Sequence, residues 1–252
     1  MSAIGKVYLI GAGPGDPELL TLKAVRAIGA AELVLIDDLA NPAVLEHARP
    51  DAEIVTVGKR CGQPSTPQQE IEARLVAAAL AGRSVARIKG GDPFIFGRGG
   101  EELQSLRAAG IEAEIVNGVT AGSAVPATLG IPLTHRHLAH GVTFVSGHSH
   151  QNGAEPDWAC LAASAMTLVI YMGINNLPHI VTQLLDGGLA AATPAAVIER
   201  GTLPAQRQVL APLGELAAAV ERDGIASPAL VIIGPTVSLA REAVDLLQED
   251  LT

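Results

Sequence analysis

Apolar residues along this chain gather in brief aliphatic runs, and glycine-rich or charged segments part them at regular intervals. The runs at 6–10 (KVYLI), 32–36 (ELVLI), 53–57, 84–88 (SVARI) and 114–116 have the β-branched character of buried strands. Helical patterns lie between them. Asp16 with Pro17 suits a helix start, and an apolar-periodic helix is expected from residue 19 to about 28. Asn41-Pro42 opens a short helix, Thr66, Pro67 and Gln69 form a capping-box start, and 99–109 is helical with Glu101 and Glu102 in its first turn. Pro126, Gly130 and Pro132 mark a change of character, and 133–141 (LTHRHLAHG) reads as a connector. Beyond it, strands are predicted at 142–145, 167–171, 195–198, around 207–210 and at 229–233. Helices are predicted near 156–163, through 185, over about 213–221 and at the charged C terminus. Strand and helix alternate throughout, so the chain is predicted to be α/β, with two α/β domains at 1–134 and 135–252 and largely parallel sheets.

The segments after the strands carry the unusual residues. Lys89 to Glu102 (KGGDPFIFGRGGEE) holds five glycines and a proline, which forbid regular structure through most of it and let the backbone approach a ligand closely. In an open α/β sheet, ligands sit beyond the carboxyl ends of the strands, where this loop lies. Gly11 to Asp16 resembles a dinucleotide fingerprint only superficially. Its third glycine is replaced by Asp16, and Pro14 removes a backbone donor, so a tight turn packing strand on helix is the plainer reading. Asp37-Asp38 at the end of the second run suits a helix cap or a solvated corner. Gly58-Lys59-Arg60-Cys61-Gly62 is a basic glycine loop but not a Walker motif, since Glu53 stands where the first glycine should be and Arg60 where Ser or Thr should be. The small residues of 117–123 permit close backbone approach, or simply a tightly packed helix start.

Composition narrows the functions further. Of 252 residues, 48% are apolar but only 2% are aromatic, so the core is aliphatic and stacking platforms for single-stranded nucleic acid are nearly absent. A net charge of −9 also argues against a polyanion bound over a broad surface, though a compact anion in one basic pocket stays open. Cys61 and Cys160 stand alone, which indicates neither a disulfide framework nor a cysteine metal site. His148-Ser149-His150 places two rings on one side of an extended segment, and His135, His137 and His140 cluster, but no carboxylate pair or cysteine stands at ligand spacing. No metal is assigned. With no leader pattern at the start, the chain reads as cytoplasmic. Residues 158–185 lack charge, yet Ser164, Asn175, Asn176, Pro178 and Gln183 break them into pieces too short to span a bilayer.

Taken together, GAGPGDPELLTLKA, VGKR, RIKGGDPFIFGRGGEE, VTAGS, IPLTHR, SGH, YMG, ERGT and SPALVIIG resemble the uroporphyrinogen-III C-methyltransferases of the tetrapyrrole methylase family. The resemblance covers the chain from about Val7 to the last predicted helix. It implies a homodimer of two α/β domains with a cleft between them, and S-adenosylmethionine as cofactor. The implied reaction methylates uroporphyrinogen III at C2 and C7 to give precorrin-2. By matching motif it places the cofactor against Pro14, Gly90, Gly91, Asp92, Ile95, Thr120, Ala121, Met172, Gly201 and Ala229. Asp37 and Lys59 match positions with proton-transfer roles, and Arg98, Glu101, Arg136 and Met172 match positions linked to substrate or catalysis. Multifunctional siroheme synthases carry a further dehydrogenase and chelatase domain ahead of this one; with the first strand at residue 6, those activities are expected to be absent. Rival readings are a related methylase acting on a later corrin precursor, a nicotinamide oxidoreductase, which Asp16 disfavours, and a non-catalytic cofactor sensor.

The chemistry agrees with the resemblance. A methyl sulfonium is a strong electrophile, so the protein must mainly align the reacting atoms and exclude water, which glycine loops do with main chain. A polycarboxylate substrate calls for fixed cations such as Lys59, Arg98 and Arg136. The proton lost after methyl transfer needs an acceptor, for which Asp37 is placed ahead of Glu101; Arg98 is unsuitable because guanidinium stays protonated.

Overall fold

The structure is a computed structural model that describes residues 4–58, 66–148 and 155–240. By internal contacts the chain divides into two compact units, Met1–Ala121 and Gly122–Thr252. The composition change that suggests 134/135 therefore follows this division by one short helix.

In the first unit, β1 (Val7–Gly11) leads through α1 (Leu22–Ala30) to β2 (Leu33–Ile36) and β3 (Glu53–Thr56). α2 (Gln68–Leu80), β4 (Val85–Lys89), α3 (Gly99–Ala108) and β5 (Ala113–Val116) follow. The sheet order is β3-β2-β4-β1-β5 and every pairing is parallel. Every residue of β2 and β4 is buried, as expected of inner strands covered on both faces. The period of two divides the core. Leu33, Leu35, Val7, Leu9 and Val85 pack with Leu75 of α2 and Leu106 of α3, whereas Val34, Ile36, Ala86 and Ile88 pack with Ala24 and Ile28 of α1. Because the strands are parallel, all the loops that follow them emerge at one edge.

Local differences from the sequence expectation have local causes. The helix expected from residue 19 is split: Asp16 caps a 3-10 turn at Pro17–Leu19, Leu20 is extended, and the Thr21 hydroxyl accepts from Ala24 N at 3.1 Å to start α1 afresh. The short helix after Asn41 is also a 3-10 turn, Pro42–His47. No capping box forms at α2, whose N-cap is Pro67, a residue with no side-chain acceptor to offer. The small-residue segment after β5 runs into α4 (Ala121–Thr128).

In the second unit the chain order is β6 (Val142–Ser146), α5 (Trp158–Ala163), β7 (Thr167–Tyr171), α6 (Leu177–Asp186) and β8 (Pro194–Glu199). β9 (Arg207–Pro212), α7 (Leu213–Arg222) and β10 (Ala229–Ile233) complete it. The sheet order β6-β7-β10-β8-β9 overturns the largely parallel expectation: only β6 and β7 pair in parallel, and the other three pairings are antiparallel. Two facts cause this. The link from β8 to β9 is too short to hold a crossover helix, so β9 folds back as a hairpin. β10 then inserts between β7 and β8, so strands joined through α6 or α7 share a direction without being neighbours. Trp158, Ile170, Ile180, Leu184, Leu216 and Val231 form the centre of this unit's core.

Lys59 to Gly62, the HxH pair beyond His148 and the charged C-terminal helix lie outside the described residues. Among the described residues no helix is long and apolar enough to cross a membrane.

Candidate active site

Four of the first unit's strand ends converge through main chain. Gly91 N donates to Gly13 O at 2.6 Å and Gly13 N to Gly91 O at 3.2 Å, joining the loops after β4 and β1. A methyl carbon added to Gly118, after β5, would lie 2.2 Å from Gly91 O, and one added to Gly11 would lie 2.5 Å from Gly118 N. No side chain fits there. One added to Gly90 would lie 2.9 Å from Leu39 Cβ, so the loop after β2 joins the same set. Gly91 differs, since its φ of +65° rather than lack of space calls for glycine. Its missing Cβ would sit 3.7 Å from Ala121 N and 3.9 Å from Thr120 Cα, so two motifs far apart in sequence meet. Asp92 holds them in register: one carboxylate oxygen accepts from Phe94 N at 2.8 Å, the other from Gly118 N and the Asn117 amide, each at 3.2 Å. Asn41 adds a bond to Gly15 O at 2.8 Å, beside Pro14. Ile95 lies with Phe94 and Phe96 in an exposed apolar stretch of the same loop.

Asp37 stands at the end of β2, on the face covered by α2 and α3, because it continues the alternation of Leu33 and Leu35. On β4 the same face carries Val85, Arg87 and Lys89. Arg87 Nη2 donates to Asp37 Oδ1 at 2.6 Å, its Nε to Glu102 Oε1 at 3.0 Å and its Nη1 to Ile88 O at 3.2 Å. Lys89 Nζ donates to Glu102 Oε1 at 3.0 Å and lies 3.6 Å from Asp37 Oδ2. Gln68 of α2 gives Glu102 Oε1 a third donor at 3.3 Å, while Glu102 Oε2 has no hydrogen-bond partner among the described residues. Arg87, Lys89 and Glu102 are almost wholly buried, whereas the Asp37 side chain keeps 27% of its surface exposed. Two cations and two carboxylates balance. The sequence pointed to Lys59, outside the described residues, as a site cation alongside Asp37, and did not single out Arg87, Lys89 or Glu102. The signal was two charges at alternate positions of a strand otherwise fit for a core. Asp38 points elsewhere, its carboxylate packed against Gly58.

Arg98 is the left-handed N-cap of α3, with φ of +57°, and forks onto Glu101 at 2.9 and 2.6 Å. The guanidinium holds the Glu101 carboxyl below its usual range, and the carboxylate raises Arg98 in return. Both side chains are about half exposed. They line a shallow depression of about 280 Å³ with Pro93, Phe94, Gly99 and Gly100. Arg136 is exposed in a turn closed by His135 N on Ala139 O at 2.9 Å.

In the second unit, Met172 follows β7 with φ of +55° and is half exposed. Tyr171 beside it was not singled out from sequence, yet its hydroxyl accepts from Gly122 N at 2.6 Å at the start of α4. Gly201 has a packing reason to be glycine: a Cβ would lie 2.4 Å from Val125 Cγ1. Arg200 and Thr202 flank it at positive φ, and Thr202 N is held by Gln206 Oε1 at 2.8 Å. Ala229 opens β10. His135 and His137 meet edge to face at 5.9 Å, and among the described residues no three His, Cys, Asp or Glu side chains are grouped to hold a metal ion.

A sequence profile described as Tetrapyrrole (Corrin/Porphyrin) Methylases matches residues 6–217. The chain is 53% identical over 230 residues to a uroporphyrinogen-III C-methyltransferase of Pseudomonas aeruginosa, covering 91% of this chain and 93% of that one. It is 51% identical over 237 residues to a siroheme synthase of Azotobacter vinelandii, covering 94% of this chain but 51% of the relative, about half its length. The crystal structure of a uroporphyrin-III C-methyl transferase from Thermus thermophilus complexed with S-adenyl homocysteine is similar with a TM-score of 0.79. The two are 44% identical, over 93% of this chain and 100% of that one.

Proposed function

This chain belongs to the tetrapyrrole (corrin/porphyrin) methylases, and from that membership we propose that it methylates uroporphyrinogen III at C2 and C7 with S-adenosylmethionine, yielding precorrin-2. The observation that carries this reading is the meeting, at one edge of the first sheet, of the glycine loops and a partly exposed carboxylate, Asp37. The cofactor supplies an electrophilic methyl group. The residues present fit it: Gly90, Gly91, Thr120 and Ala121, with Pro14 and Ile95 nearby, offer a main-chain surface that can grip a ligand with little side chain, and the Asp92 carboxylate holds that surface in register. Met172, Gly201 and Ala229 are assigned to the cofactor by the resemblance, and the left-handed turn at Met172 accords with a functional position.

Asp37 accepts the proton released after methyl transfer; its open side can receive it while Arg87 holds the other. Arg98 and Arg136 take substrate carboxylates, both being exposed cations, and Met172 lines the substrate. Arg98 must then exchange Glu101 for the ligand, an exchange that costs little at an exposed pair. Lys59 and Glu101 complete the set. A cytoplasmic homodimer belongs to the same reading, and a sedimentation mass equal to one 25.8 kDa chain would count against the dimer.

The test is to incubate the protein with S-adenosylmethionine and enzymatically generated uroporphyrinogen III, then record the product's mass and absorption. Two added methyl groups and a precorrin-2 spectrum are expected. Inert uroporphyrinogen III, alongside turnover of an already methylated precursor, would instead place the chain later in corrin chemistry.

A further inference from the structure

We infer that Arg87 and Glu102 are positioning residues for Asp37: the buried ion network between α3 and β4 fixes the direction in which that carboxylate faces its proton donor. The inference rests on the assignment of Asp37 as proton acceptor. Three features of the geometry carry it.

The guanidinium of Arg87 uses three different nitrogens on three different acceptors, Glu102 Oε1, Ile88 O and Asp37 Oδ1. A planar fork held at three points cannot turn, so the vector from Nη2 to Asp37 is set by the strand and by α3 rather than by solvent. Glu102 is fully buried and gathers Arg87, Lys89 and Gln68 on one oxygen, with Oε2 unpartnered among the described residues. Two of its three hydrogen bonds thus go to the cations that face Asp37, and the third comes from the Gln68 amide. Finally, Asp37 is the only member of the four that solvent reaches appreciably. Replacing a buried ion network by apolar residues is often neutral or better for stability. What this network supplies is therefore a fixed geometry, delivered at the one carboxylate of the network that solvent reaches.

The experiment is a double-substitution cycle on the complete chain, with kcat, KM for uroporphyrinogen III and calorimetric affinity for S-adenosylhomocysteine as readouts. Arg87→Lys keeps the charge and loses the fork. It is expected to lower kcat by about tenfold or more, in line with the sensitivity of proton transfer to small misplacement, with KM and cofactor affinity within about twofold of wild type. In the Asp37→Asn background the same substitution is expected to change kcat by less than about twofold, since no carboxylate remains to be aimed. A merely structural role predicts the opposite: the same factor lost in both backgrounds, which would overturn the inference. Glu102→Gln, isosteric but without the charge that holds Arg87 and Lys89, carries the comparison should Arg87→Lys fail to fold, with the same difference between the two backgrounds expected and an equal loss in both overturning the inference. Crystal structures add a readout independent of turnover, with the Asp37 side chain expected to rotate away from its native direction in Arg87→Lys. An unmoved Asp37 would overturn the inference. Wild-type kcat in Asp37→Asn alone would instead overturn the proton-acceptor assignment on which the inference rests.

Discussion

Glu101 and Glu102 are neighbours in the first turn of α3, and each meets an arginine within 3.0 Å, yet their surroundings are opposite. Glu101 forks with Arg98 in the open, both side chains about half exposed. Glu102 is wholly enclosed with Arg87 and Lys89. Distance alone would rank them alike. Burial separates them: the exposed pair is screened and can trade partners, which suits a contact with an incoming carboxylate, while the enclosed group cannot lose a member without stranding a charge.

Stability should show the difference most sharply. Glu102→Ala leaves two buried cations facing one carboxylate and is expected to cost about 3–5 kcal/mol, read from denaturant unfolding; Glu101→Ala is expected to cost less than about 1 kcal/mol. Equal losses would erase the distinction. On the functional side the order reverses toward the surface. Arg98→Ala should weaken the tetrapyrrole interaction by about ten- to a hundredfold, or about 1.5–3 kcal/mol, while leaving cofactor affinity alone. Near-normal turnover in that variant would reduce Arg98 to a surface partner of Glu101.

The smallest effect lies at an exposed cluster on the opposite edge of the same sheet. Hydrogen bonds first from Lys6 and then from Lys23 pull the Glu114 carboxyl from 4.5 to about 2. A depressed carboxylate pKa gives stability that is complete above the unfolded value and lost as pH falls through the folded one, here from 4.5 toward 2. Both lysines are more than half exposed, so solvent screens the contribution and keeps it small. Thermal melts at pH 5 and pH 3 should show Glu114→Gln losing slightly less on acidification than wild type; a larger loss in the variant would reverse the sign.

Much of the first unit was legible because its physics is local. Aliphatic runs leading into glycine marked β1, β3, β4 and β5, a run ending in two acids marked β2, and the departure of Asp16 from a dinucleotide fingerprint disfavoured a competing reading. The second unit's topology was not legible, since strand–helix–strand order sets relative direction but not which strand inserts between two others, as β10 does between β7 and β8. In the site, the glycines were read as a ligand surface; Gly11, Gly118 and Gly201 proved also to be places where backbone or valine leaves no room. Alternation along β2 separates Asp37 from Asp38, but it was the resemblance that selected Asp37 of the two. The same alternation on β4 would have disclosed Arg87 and Lys89, but SVARI was read as an apolar run, and long-range pairing with Glu102 leaves no mark at any sequence spacing.

The account turns on Asp37 as proton acceptor, and the most direct measurement compares product formation by Asp37→Asn, Asp38→Asn and Glu101→Gln, with S-adenosylhomocysteine affinity measured alongside. Asp37→Asn keeps shape and removes basicity, so it is expected to slow product formation by about a hundredfold or more with cofactor affinity unchanged, while Asp38→Asn stays close to wild type. Wild-type turnover in Asp37→Asn with an inactive Glu101→Gln would move the acceptor to Glu101. Activity in all three would mean that the proton leaves to solvent, and would contradict the account.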